Sequence, residues 1–178
     1  MYPQEGTDWQ DEVFEVAPIS EVNATVKGGS EKSAYTFAAG YLDQAGIVGG
    51  SSNNYERVTA RINYEYDILD NLKVTANALH FSATKKNLAE GGIGAVLYNA
   101  VNINPTMPVY DVNGDFALAT DISQIEIINP LAQIANSYST ARTSKWSGLL
   151  ALEYDFWENF TAKTQFNIRY NNLQTASK

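Results

Sequence analysis

Between Val58 and Tyr66 the chain alternates strictly, with Val58, Ala60, Ile62, Tyr64 and Tyr66 on one side and Thr59, Arg61, Asn63 and Glu65 on the other. A period of two is the pleat of a β-strand, and a strand with faces this unlike must separate an apolar from a polar surrounding. The pattern recurs. Val22, Ala24 and Val26 oppose Asn23, Thr25 and Lys27 in a strand over residues 19–27, and Tyr35, Phe37, Ala39 and Tyr41 mark a second. The third runs over about 55–66. Trp146, Gly148, Leu150, Leu152 and Tyr154 define a fifth over 145–156, and Phe160, Ala162, Phe166, Ile168 and Tyr170 a sixth. The fourth, residues 72–83, has two competing apolar sets, Ala76, Ala78 and His80 against Leu79 and Phe81, so the pattern alone does not orient it.

The connections alternate in length. Gly28-Gly29-Ser30-Glu31 predicts a tight turn, residues 43–54 a Gly/Ser loop, residues 67–71 a short turn, residues 84–143 a long insertion and Trp157-Glu158-Asn159 another turn. In an up-and-down meander all short turns then fall at one end and all long loops at the other, the asymmetry of outer-membrane barrels. Trp146 and Phe156 are ten positions apart, as are Phe160 and Tyr170. At ~3.3 Å per residue and a tilt of ~40° each pair spans ~25 Å, the height of an apolar band between aromatic girdles. A sandwich with a water-soluble core shows the same alternation, so composition leaves a membrane barrel and a soluble all-β carbohydrate-binding or adhesion module both open.

The insertion is too long to be bare. Ile93, Val96, Leu97, Ala100 and Val101 form one stripe of a helix near 93–102, ending before Asn104-Pro105. Asn113-Gly114 predicts a type I′ hairpin near 109–117. Asn129 as N-cap and Pro130 as first helical residue predict a second short helix. The chain thus divides into a lead-in with a short helix (1–18), four strands (19–83), the long loop (84–143) and two strands (144–178).

Of its 178 residues 20 are acidic and 12 basic, a net charge of -8, which argues against a nucleic-acid binder. With no cysteine and one histidine, thiol chemistry and a multi-histidine metal site are excluded. Asp111-Val112-Asn113-Gly114-Asp115 begins like a calcium loop, but Phe116 and Ile122 stand where the sixth and twelfth positions need Gly and Glu. Gly91-Gly92-Ile93-Gly94 lacks the third glycine of a dinucleotide fingerprint. Asp8, Asp11 and Glu12 read as a solvated helical turn. No catalytic constellation, cofactor site or metal site emerges, and the chain reads as a non-enzyme.

Several segments resemble, in order and spacing, the SusC/RagA branch of TonB-dependent outer-membrane transporters. They are Thr7-Asp8-Trp9-Gln10-Asp11-Glu12-Val13-Phe14, Val26-Lys27-Gly28-Gly29-Ser30-Glu31-Lys32, Gly40-Tyr41-Leu42-Asp43-Gln44-Ala45-Gly46-Ile47, Gly91 to Gly94 through Tyr98-Asn99-Ala100, Pro105 to Asp111 and Asn129-Pro130-Leu131-Ala132. The resemblance implies a nutrient importer in the cell outer membrane: a barrel of about twenty-two strands, plugged, energised by the TonB complex and capped by a SusD-like surface lipoprotein that helps capture glycans or peptides. Six strands fall short of the eight or so that close a barrel, so the chain reads as a fragment of barrel wall whose plug and signal peptide lie elsewhere. The long loop would then be extracellular. Tyr98, Tyr110, Phe116 and Tyr138 are its candidate ligand-binding residues, able to stack on sugar faces.

Overall fold

The computed structural model describes residues 6–88, 92–118, 127–137, 139–158 and 160–177. Six strands, β1 (Ile19–Ser30), β2 (Ser33–Ala45), β3 (Asn54–Leu69), β4 (Leu72–Asn87), β5 (Ser139–Trp157) and β6 (Phe160–Ser177), form one sheet in chain order. Every neighbouring pair is antiparallel, so the sheet is an open meander. Three short helices, α1 (Trp9–Val13), α2 (Val96–Asn102) and α3 (Pro130–Asn136), gather at the end with the long connections.

The strands outrun their sequence pattern, and the turns shrink accordingly. Ser30 pairs with Ser33, leaving Glu31 and Lys32 as the turn, so Gly28 and Gly29 belong to β1 and not, as expected, to the bend. Their role is a close approach: Gly28 lies opposite Tyr35, and a Cβ there would run into the Tyr35 phenol. Likewise Leu69 pairs with Leu72, so the predicted five-residue turn is only Asp70-Asn71. The two strands beside the insertion run on past the expected limits, β4 to Asn87 and β5 from Ser139, because polar Thr, Ser and Lys residues extend the ladder without extending the apolar pattern.

Register settles the two faces. One cross-strand row joins Val26, Phe37, Ile62, Ala78, Gly148 and Ile168; the adjacent row on the same face joins Tyr35, Tyr64, Ala76, Leu150 and Phe166. The large side chains of these rows stay open, with Phe166 68% and Ile168 61% exposed, so the apolar face is uncovered. A soluble sandwich would bury that face under a second layer. The fourth strand is oriented by the same register: Ala76, Ala78 and His80 lie on the apolar face, Leu79 and Phe81 on the polar one. His80 sits opposite Trp146, their rings 4.0 Å apart, and its buried Nδ1 finds no hydrogen-bond partner among the described residues. On the polar face Phe81 is not stranded, because Lys145 Nζ lies 5.4 Å from its ring centre.

Aromatic side chains collect at both margins of the apolar face. Trp146 and Tyr170 are directly paired toward the loop end. Toward the short turns, Tyr154, Phe156, Trp157 and Phe160 form a cluster with ring separations of 5.9 to 6.4 Å. No helix among the described residues is long and apolar enough to cross a membrane, a statement that does not bear on crossing by strands.

Candidate functional site

The lead-in segment and the long loop fold together over the loop end of the sheet. Asp8 caps α1, its Oδ1 accepting from the Gln10 and Asp11 amides at 3.1 and 3.2 Å. The helix is only five residues long and gains its stability from docking. Trp9, 3% exposed, donates Nε1–H to the Asn104 carbonyl at 3.3 Å, and the Thr7 hydroxyl donates to that of Met107 at 2.8 Å. Val13, Val48, Leu88, Val96 and Ala100 form the buried cluster beneath, so four stretches distant in sequence meet at one small core.

Two buried asparagines hold the loop. Asn99 donates to Gln133 Oε1 at 2.7 Å, and its own Oδ1 accepts from the Ile128 amide at 3.4 Å. Asn129 caps α3 through the Leu131 and Ala132 amides while its Nδ2 donates to the Val109 and Ala117 carbonyls at 2.9 and 3.2 Å. Replacing Asn129 by Ala removes the cap and its bond to the buried Ala117 carbonyl, while the Val109 carbonyl keeps the Ala117 amide, a cost of about 2 kcal/mol to the loop. Limited proteolysis should then cut within 109–118 faster than in the parent, and an unchanged cutting rate would contradict that role.

The helix expected near 93–102 begins only at Val96, because Gly92 and Gly94 take positive φ values of 92° and 82° outside the helical region. Ile93 consequently leaves the stripe and is 92% exposed. The Asn-Gly hairpin is also built differently from the expected two-residue type I′ turn. The Gly114 amide bonds the Asp111 carbonyl at 3.1 Å and the Asp111 amide bonds that of Asp115 at 2.7 Å, a three-residue loop with Gly114 at φ 86°. The Asp111 carboxylate favours it by accepting from the Asn113 and Asp115 amides at 2.8 and 3.0 Å.

Of the candidate stacking residues, Tyr110 and Phe116 are brought together across this hairpin, rings 5.3 Å apart, with Tyr110 54% exposed. Tyr98 lies half-buried on α2. Tyr138 falls outside the described residues. A cleft of about 710 Å³ lies elsewhere, lined by Phe14, Gln44, Ile47, Tyr55, Lys85 and Asn87 among others. Gln44, Tyr55, Lys85 and Asn87 belong to the polar-face parity of β2, β3 and β4, so the cleft opens on that face at the loop end. The sequence pattern gave no sign of it, since its wall joins the lead-in to three strands. Among the described residues no cluster of His, Asp or Glu is arranged for a metal.

An open antiparallel meander with one exposed apolar face, aromatic margins, a polar opposite face and its long loops at one end is a stretch of transmembrane β-barrel wall. The receptor P3 of Formosa agariphila, a TonB-dependent receptor, is 29% identical over 174 residues, 94% of this chain and 17% of that protein. The TonB-dependent receptor SusC of Bacteroides thetaiotaomicron is 36% identical over 105 residues, 58% of this chain and 10% of SusC. The RagAB peptide importer, solved in an open-open state, superposes with a TM-score of 0.76 at 23% identity, covering 97% of this chain and 19% of the importer chain. No protein-family model matches. The chain is similar to TonB-dependent receptors, SusC among them, and spans less than a fifth of the length of the relatives named here.

Proposed function

We propose that this chain is a lipid-facing and lumen-lining part of a nutrient importer of the cell outer membrane. The uncovered apolar face supports this reading most directly, because every row of it is matched by a polar row behind. The short turns would face the periplasm and the α1–α3 assembly the outside. There the cleft beside Phe14 and Tyr55, with exposed Tyr110 stacked on half-buried Phe116, would contact a glycan or peptide and a SusD-like surface lipoprotein. Energy would reach the barrel from the TonB complex through a plug belonging to the same receptor. The chain itself would carry no catalysis and need no cofactor.

An epitope inserted after Val112, which is fully exposed at the hairpin tip, tests the placement in the full-length receptor. It should label on intact cells, and the receptor should appear in the outer-membrane fraction as a heat-modifiable band. Recovery in the soluble fraction, or labelling only after permeabilisation, would overturn the reading.

A further inference from the structure

The charges on the polar face are sorted. Arg57 pairs with Glu21 at 3.3 Å near the loop end, and Lys73 with Asp67 and Lys163 with Glu153, at 3.7 and 3.0 Å, near the short turns. Between them lie three successive cross-strand rows. One joins Thr25, Ala38, Arg61, Leu79, Ser147 and Arg169; its neighbours contribute Lys145 on one side and Lys27 on the other. No Asp or Glu occupies any position of the three rows, and none of these four cations makes a salt bridge among the described residues. In a chain of net charge -8 the middle of one face is therefore purely cationic.

The rows also have a shape. A depression of about 300 Å³ runs between Arg61 and Arg169, floored by Leu79, Ser147 and Gly148, with Asn77 beside it. The two arginines are three strand spacings apart, about 14 Å at the backbone, the length of roughly four extended residues. Guanidinium groups bind carboxylates bidentately, and a charged lumen wall backed by low dielectric concentrates counter-ions.

Resting on the transporter reading above, we infer that this belt binds and passes a solute of the polyanionic class, an extended oligomer carrying several carboxylates. An acidic peptide and an acidic glycan share that chemistry.

The test uses the full-length receptor carrying this chain in a planar bilayer, its lumen opened reversibly with urea. The ratio of chloride to potassium permeability should fall at least about twofold in the Arg61→Gln/Arg169→Gln double variant. Lys32→Gln, at a turn and already paired with Asp70, should leave it unchanged. Tetraglutamate or tetragalacturonate should block the current at about tenfold lower concentration than tetraglutamine or tetragalactose, and the double variant should lose that difference. Discrimination by the peptide alone, the uronate alone or both supports the belt and tells the sources apart. An unmoved permeability ratio, or block by neither anion in preference to its neutral counterpart, overturns it. If a receptor with a normal heat-modifiable band conducts nothing, the transporter reading itself fails, and the inference with it.

Discussion

Replacing Ile62 by Arg in the full-length receptor should lower the stability of the folded barrel in a bilayer by about 2–4 kcal/mol, while Asn63→Arg, one residue along, should cost close to nothing. Ile62 lies in the row that crosses the middle of the apolar face, between Phe37 on β2 and Ala78 on β4. A guanidinium there must lose its hydration or thin the bilayer to keep it. Asn63 has the same neighbours in the ladder but the opposite pleat, facing Thr36 and Asn77, where an added cation stays wet. Because strand propensity and register are shared, the difference isolates the surroundings of each face. The urea midpoint of receptor folded into vesicles and the heat-modifiable fraction in cells both report it. Equal losses for the two variants, or a greater loss for Asn63→Arg, would contradict the assignment.

Trp9→Ala should release the loop-end assembly at a cost of about 3–5 kcal/mol to its docking, the range for truncating a buried tryptophan. Trp9 is buried against the loop, and its indole N–H holds the Asn104 carbonyl just beyond α2. Because α1 is too short to persist undocked, its loss also removes Val13 from the cluster that seats Val96 and Ala100. Amide exchange across Val96–Ile103 should accelerate on the order of a hundredfold or more, since about 1.4 kcal/mol is a factor of ten. Exchange in the middle of β3 and β4 should not move. Unchanged protection in α2 would show that the loop is held by something other than the lead-in.

The meander was legible because alternation survives wherever one face meets an apolar medium and the other a polar one, as in β3. It failed in β4 for a physical reason: Leu79 and Phe81 are apolar on the polar face, tucked between arginine and lysine neighbours, while His80 is polar on the apolar face beside Trp146. Turn positions were misread where glycine served packing, as Gly28 does against Tyr35. The loop-end cleft stayed hidden because Phe14, Tyr55 and Asn87 come from segments that only the fold joins. The cationic belt was half visible, since Arg61 falls on the polar side of its strand by pattern and Arg169 lies between Ile168 and Tyr170, opposite the apolar set of the sixth. Only the register puts them in one row.

That β3 separates lipid from water is directly measurable, because this chain has no native cysteine. Spin labels placed one at a time from Val58 to Glu65, in a full-length receptor free of other reactive cysteines and folded in lipid, report collisions with oxygen and with a water-soluble nickel chelate. Labels at 58, 60, 62 and 64 should be oxygen-accessible and labels at 59, 61, 63 and 65 chelate-accessible; a flat profile, or the inverse alternation, would show that β3 does not divide lipid from water.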